Sequence, residues 1–307
     1  MTPMHPMTNA NETLAWVNPG REAWIPFSQL AVSLQDVGFR QGVVAVERLR
    51  TYSGCVFELA AHLTRWRRTL EHLRIRTDAT DARFDGLIRS LIDRNREWCR
   101  EAGDFGITLL ATPGRIDDPL ARPSEWLHLN SLPADLIAMR RTSGQPLLIT
   151  DVQQPSPRCW PRDIKVRCRL HYYSADAFAR QLAPDALGVL IDQDGSITDT
   201  SIANLALLRD GRILTPAIEQ VLPGVTQQVV RDLAERIGLP WLQQTLLPAD
   251  LRTADEVWLM GTDGGLWFAN RVDGAPIGGG IAGPIYRRLL AEWDRYVGAD
   301  PLGLNRQ

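Results

Sequence analysis

Leu59, Leu63, Trp66, Leu70 and Leu73 recur at spacings of four and three, which predicts an amphipathic helix over Ala60–Arg74. Phe84, Leu87, Ile88, Leu91 and Ile92 share one face of a second helix over Ala82–Cys99. Between and around them the pattern becomes strand-like, over Val43–Leu49 after a Gln35-Asp36-Val37-Gly38 turn, and over Phe105–Thr112. The stretch Pro113–Arg162 is rich in Pro, Asp and Ser with short strands such as Leu147–Thr150, and part of it reads as an interdomain connection. Beyond it come a helix over Ser174–Leu182 and an apolar strand over Leu187–Asp192 ending in a Gln193-Asp194-Gly195 turn. Ala203–Leu208 and Arg212–Leu214 bracket Arg209-Asp210-Gly211 as a hairpin, and Pro223-Gly224 introduces a helix over Val225–Ile237. Strands over Glu256–Met260 and Leu266–Val272 and a closing helix over Pro284–Val297 complete the series. Strands and helices mixed in both halves predict an α+β (α/β) protein of two domains, 1–145 and 146–307.

Composition narrows the partners. At 44% hydrophobic and 23% charged the 307 residues form an ordinary globular chain, long enough to bury a sizeable core. A formal charge of −2 gives no electrostatic case for nucleic acid. No run approaches eighteen apolar residues, so no membrane helix is expected. The start, MTPMHPMTNANETLAW, lacks the basic and apolar regions of a signal peptide, and a cytoplasmic location is expected. Cys55, Cys99, Cys159 and Cys168 lack CxxC spacing and read as reduced thiols, while the scattered histidines offer no metal site.

One count bears on chemistry. Of 34 basic residues only Lys165 is a lysine, so 33 are arginine. A coding bias that replaces lysine wherever only positive charge is needed makes the survivor informative. Arginine keeps its proton at any usable pH, whereas lysine can become a nucleophilic amine. Chance survival at a surface site is the plain alternative.

Several segments then fall in a characteristic order. They are Asp36-Val37-Gly38-Phe39-Arg40-Gln41-Gly42, Phe57-Glu58-Leu59-Ala60-Ala61-His62-Leu63-Thr64-Arg65, Lys165, and Thr198-Asp199-Thr200-Ser201-Ile202-Ala203-Asn204, with Asp199 34 positions after the lysine. Leu222-Pro223-Gly224-Val225-Thr226, Ala254–Thr262, Asp273–Gly280 and Gly283-Pro284 follow. Together they resemble the class IV (fold type IV) pyridoxal-phosphate enzymes, which include branched-chain aminotransferases, D-amino acid aminotransferases and aminodeoxychorismate lyases. The resemblance runs from about Trp16 to Leu290. It implies a smaller N-terminal α/β domain, a larger C-terminal mixed β-barrel-like domain, pyridoxal 5'-phosphate as cofactor, and a homodimer.

By the same resemblance Lys165 is the Schiff-base lysine, and Asp199 takes the place of a glutamate that faces the pyridine nitrogen, one methylene shorter. Arg65 holds the cofactor phosphate, a pairing that suits a guanidinium. Gly224, Val225 and Thr226 place helix-start N–H groups on that phosphate, Thr262 adds a contact, and Leu222 packs on the ring. Asn204 is structural. Ala206 stands where an aromatic is usual and Gln227 where a basic residue is usual, the marks of a divergent branch.

Strand alternation sets Val44, Val46, Arg48 and Arg50 on one side, which lines the substrate pocket in the family. Val46 lacks the tyrosine of the D-amino acid enzymes, and Arg48 stands where branched-chain enzymes keep a small residue. Arg48, with Arg40 or Arg115, is a candidate for binding a substrate carboxylate; the alternative is that it points to solvent or pairs with an acid. The leading expectation is an aminotransferase acting on an amino donor and a 2-keto acid. A lyase releasing pyruvate is the alternative, because Lys165-Val166-Arg167-Cys168-Arg169-Leu170 lacks the Asn-Tyr usual in branched-chain enzymes. A non-catalytic ligand-binding relative is the third reading.

Overall fold

The computed structural model describes residues 12–299 apart from 20, 78, 79 and 121, so residues 1–11 of the polar leader lie outside the described residues. The chain divides into two compact units. The first runs to Leu132 and takes in Lys165–Cys168; the second holds Pro133–Ile164 and the chain from Arg169 onward.

The first unit is a six-stranded sheet built from β1 (Leu14–Asn18), β2 (Ala23–Pro26), β3 (Ala45–Tyr52), β4 (Cys55–Val56), β5 (Phe105–Thr112) and β6 (Ser124–Ser131). Its order is β2-β1-β6-β5-β3-β4, every pair antiparallel. Four helices accompany it: α1 (Val37–Gln41), α2 (Leu59–His72), α3 (Asp81–Arg94) and α4 (Arg96–Ala102). The apolar stripes of α2 and α3 bury Leu63, Trp66, Leu70, Phe84, Ile88 and Leu91 against Ala45, Leu49, Ile107 and Leu109 of the sheet. Ala45, Glu47 and Leu49 therefore face the helices, and Val46 and Arg48 face away, as strand alternation requires.

Three expectations change here. The turn at Asp36 is the cap of a short helix, its Oδ1 accepting the N–H of Gly38 at 2.7 Å. The single helix expected over Ala82–Cys99 is two, broken at Asn95. That side chain accepts from the backbone of Leu14 at 2.7 Å and donates to the carbonyls of Leu14 at 3.0 Å and Leu91 at 2.8 Å. Strand β1 thus turns Asn95 out of the helical path. The stretch expected to include a linker contains β6 and, in the second unit, a further helix and strand.

The second unit is a nine-stranded sheet: β7 (Gln145–Gln153), β8 (Leu187–Ile191), β9 (Ile197–Thr200), β10 (Asn204–Arg209), β11 (Arg212–Thr215), β12 (Trp241–Gln243), β13 (Glu256–Gly261), β14 (Gly265–Val272) and β15 (Ala275–Pro276). Its order is β12-β11-β10-β13-β14-β7-β8-β9, with β15 on β14. The end strand β9 runs directly into β10 through a tight turn, Thr200 N–H to Ala203 O at 2.9 Å, and this curls the sheet on itself. Helices α5 (Ala134–Ser143), α6 (Leu170–Leu182), α7 (Val225–Arg236), α8 (Pro248–Arg252) and α9 (Pro284–Ala299) belong to it. Its core gathers Leu187, Val189, Leu205, Leu207, Val257, Leu259 and Trp267. Among the described residues no helix is long and apolar enough to cross a membrane.

Candidate active site

In the first unit Lys165 is pinned through its backbone. Its N–H donates to Thr69 Oγ1 on α2 at 3.0 Å, and its carbonyl accepts from Val46 N–H on β3 at 3.0 Å. The next residues continue along β3, with Arg167 N–H on Val44 O at 3.0 Å. The only lysine of the chain is thus held by a helix and a strand at once.

Behind β3 lies a buried ionic cluster that sequence reasoning missed. Glu47, fully buried, accepts from Arg65 Nε at 3.0 Å and Nη2 at 2.6 Å, and its Oε1 lies 2.8 Å from His62 Nδ1. Burial pushes the Glu47 carboxyl up, but the Arg65 charge and the His62 contact overcome it and hold the group well below the usual carboxylate range. Burial pushes the His62 imidazole down, the nearby Arg65 and Lys165 charges adding to it against Glu47. A neutral His62 donates from Nδ1 to Glu47, and its buried Nε2 has no partner among the described residues. Arg65, expected to hold a phosphate, commits two of its five N–H donors to Glu47. The signal for this cluster was present as an acid on the core-facing side of β3 opposite a His-x-x-Arg spacing on α2.

Arg48 lies on the other face of β3. Its Nη1 donates to Thr108 Oγ1 at 2.9 Å and to Asn130 Oδ1, beside His128. Gly106 makes room for it, since a Cβ there would collide with the Arg48 guanidinium. Val46 is buried next to it in the strand. Arg40 and Arg115 are exposed and engage surface partners, Gln35 Oε1 at 3.0 Å and Asp117 at 2.8 and 2.6 Å.

In the second unit three loops converge. Asn204 at the start of β10 donates to Leu222 O at 2.8 Å, and a Cβ on Gly224 would collide with Asn204 Oδ1. A Cβ on Gly261 would likewise collide with Ile202 O, which sets the Thr262 turn against the β9–β10 loop. Helix α7 starts at Val225 and Thr226, both buried, with no side chain capping its N–H groups. Ser201 Oγ, also buried, has no partner among the described residues. Asp199 sits on β9 beside this convergence. Burial pushes its carboxyl up to about 6, against hydrogen bonds from Tyr172, Leu222 N–H and Gln154 and the charge of Arg162.

These features fit a phosphorylated pyridine. A helix start with no side chain capping its N–H groups suits a phosphate, and a buried carboxylate suits a protonated ring nitrogen.

Comparison with known proteins places the chain. A family model described as amino-transferase class IV matches residues 45–272. The chain is 26% identical over 296 residues to branched-chain-amino-acid aminotransferase-like protein 2 of Arabidopsis thaliana, covering 94% of this chain and 51% of that protein. It therefore spans about half the length of that relative. It is 26% identical over 282 residues to a D-alanine aminotransferase of Staphylococcus aureus, covering 88% of this chain and 94% of that one. Among solved structures, the branched-chain amino acid aminotransferase of Escherichia coli aligns with a TM-score of 0.85 at 21% identity, over 96% of this chain and 97% of that one. The branched-chain amino acid aminotransferase of Thermobaculum terrenum, in its PLP form, aligns with a TM-score of 0.79 at 21% identity, over 94% and 95%. The fold is that of fold type IV. The Staphylococcus relative is named an aminotransferase and the Arabidopsis one aminotransferase-like, and the aminodeoxychorismate-lyase alternative is not favoured. Three convergent loops, a pinned lone lysine and a family match over residues 45–272 lead to one conclusion: this chain belongs to the class IV aminotransferase family.

Proposed function

We propose that the chain is a pyridoxal 5'-phosphate-dependent aminotransferase that moves an amino group between an amino acid and a 2-keto acid through Lys165. The observation that carries this reading is the only lysine of the chain, its backbone fixed by Thr69 and Val46. When bound, the cofactor supplies an electrophilic aldehyde and a ring that accepts the electron pair released at the substrate α-carbon. Lys165 would hold the cofactor through its Nζ amine and would supply the base that moves a proton at the substrate α-carbon. Asp199 would keep the ring nitrogen protonated, and Leu222 would offer the ring an apolar contact. The N–H groups of Val225 and Thr226, opened by Gly224, bind the phosphate with Thr262 and Arg65. Arg48, with its guanidinium oriented by Thr108 and Asn130, reads a carboxylate of the substrate.

The test is incubation of the purified protein with pyridoxal phosphate, borohydride reduction and peptide mass mapping, beside Lys165→Ala. A reduced adduct on Lys165, absent from the variant, together with keto-acid-dependent turnover of an amino donor, is the expected result. Pyruvate release without any keto acceptor would favour a lyase, and no adduct at excess cofactor would favour a non-catalytic binder.

The same reading includes a homodimer in the cytoplasm. Exposed Leu34, Phe39 and Ile116 support the dimer: their segments are cross-linked by Ile116 N–H on Gln35 O at 3.0 Å and Val37 N–H on Gly114 O at 2.9 Å. Four free cysteines support a reducing compartment.

A further inference from the structure

The carboxylate of Asp199 is held by a hydrogen-bonded triangle drawn from three elements. Gln154, just past the end of β7, donates from Nε2 to Asp199 Oδ1 at 2.5 Å and to Tyr172 Oη at 3.2 Å. Both amide hydrogens are thereby used, and turning the amide over would set its oxygen against the carboxylate. Tyr172, in the first turn of α6, donates to Asp199, its Oη standing 3.3 Å from Oδ1 and 3.4 Å from Oδ2. Burial and the Asp199 charge push the Tyr172 phenol far above its ordinary value, so it stays a donor at every working pH.

A carboxylate offers about four lone-pair positions, so the two side-chain donors leave capacity for a further one. An aspartate oriented from two sides in this way loses little rotational freedom when a further donor arrives. We infer that Tyr172 and Gln154 are positioning residues that orient the shortened carboxylate of Asp199 and keep it ionised for the cofactor's ring nitrogen. This rests on the reading of Asp199 proposed above. The triangle is a property of this chain's own residues, and neither Tyr172 nor Gln154 was singled out by its sequence.

Among the described residues, the charged and titratable groups around Asp199 and its Tyr172 partner are Arg169, His171 and Arg162. Arg169 lies over the Tyr172 ring at 4.6 Å and donates to Ser201 O, the His171 ring is tilted against that of Tyr172 at 4.2 Å, and Arg162 is itself held by Asp192 at 2.8 Å. Both side-chain donors favour the charged carboxylate, so removing either raises the pH at which it ionises.

The test is the pH dependence of pyridoxal phosphate affinity, measured by absorbance titration of the full chain for the parent, Tyr172→Phe, Gln154→Leu and Asp199→Asn, with folding checked by circular dichroism. In the parent, affinity falls on the acid side as Asp199 takes up a proton. The acid midpoint should move up by about one pH unit in Tyr172→Phe and in Gln154→Leu, with about fivefold weaker binding at the parent's midpoint, and should vanish in Asp199→Asn. Gln154→Leu carries the test alone should Tyr172→Phe not fold. If Asp199→Asn abolishes the acid limb while both other variants keep the parent's midpoint, the positioning role is overturned and the reading of Asp199 stands. If Asp199→Asn keeps the parent's affinity and midpoint, both fall together.

Discussion

At Arg48 the guanidinium lies across Thr108 and Asn130 on the face of β3 opposite the core, a setting that suits recognition of a carboxylate. Truncation by Arg48→Ala should lower kcat/KM for acidic amino donors at least tenfold more than for aliphatic ones, the loss of one charge-assisted pair. Steady-state kinetics on both donor classes checks this, and equal losses would end the assignment. Asp199 makes a second prediction. Its folded value of about 6 lies above the ordinary 3.8, so its contribution to stability is fully present below about pH 3.8 and is lost as pH rises through 6. A difference of that size corresponds to roughly 3 kcal/mol. Glu47, held low, and His171, pushed down to about 4 by burial and by Arg169 and Arg162, act in the opposite sense. The difference between Asp199→Asn and the cofactor-free parent isolates the effect: the variant should gain relative stability from about pH 4 to about pH 6.5. Thermal unfolding across that range measures it, and a constant offset would contradict the assignment.

At the scale of elements, α2 does two things with its two kinds of residue. Leu63, Trp66 and Leu70 pack it on the sheet, with Trp66 edge-on to Phe84 of α3 at 5.8 Å between ring centres. His62, Arg65 and Thr69, on neighbouring turns, grip Glu47 and the backbone of Lys165. Trp66→Ala should therefore destabilise by about 3–5 kcal/mol. Arg89→Ala, on the exposed face of α3 with an i,i+4 partner in Asp85, should leave stability unchanged within error. Urea unfolding of both variants is the measurement. The apolar stripe was legible in the sequence because periodicity reports which face is buried. The acid opposite it was not, because a buried charge becomes intelligible only with its partner, and Glu47 and Arg65 are brought together by the packing of α2 on β3. The break at Asn95 has the same origin: its partners belong to Leu14, 81 residues away, and no local pattern reports a hydrogen bond across that distance.

For the molecule as a whole, the exposed side chains of Leu34, Phe39 and Ile116 bear on assembly. Sedimentation should give twice the chain mass of 34.4 kDa for the parent, and Phe39→Asp should shift it to one chain. A parent that sediments as one chain would remove the dimer. By itself the sequence determined the mixed α+β class, the amphipathic helices, the strand faces and the lone lysine with its ordered motifs. Those features are set by spacing along the chain and by the chemistry of single side chains. Only the tertiary structure decided that Gln154, Tyr172 and Asp199 share one carboxylate site, that Arg65 engages Glu47, and that Asn95 ends a helix. A polar side chain in a core takes its role from whichever donor or charge folding sets beside it, and that neighbour comes from elements distant in sequence.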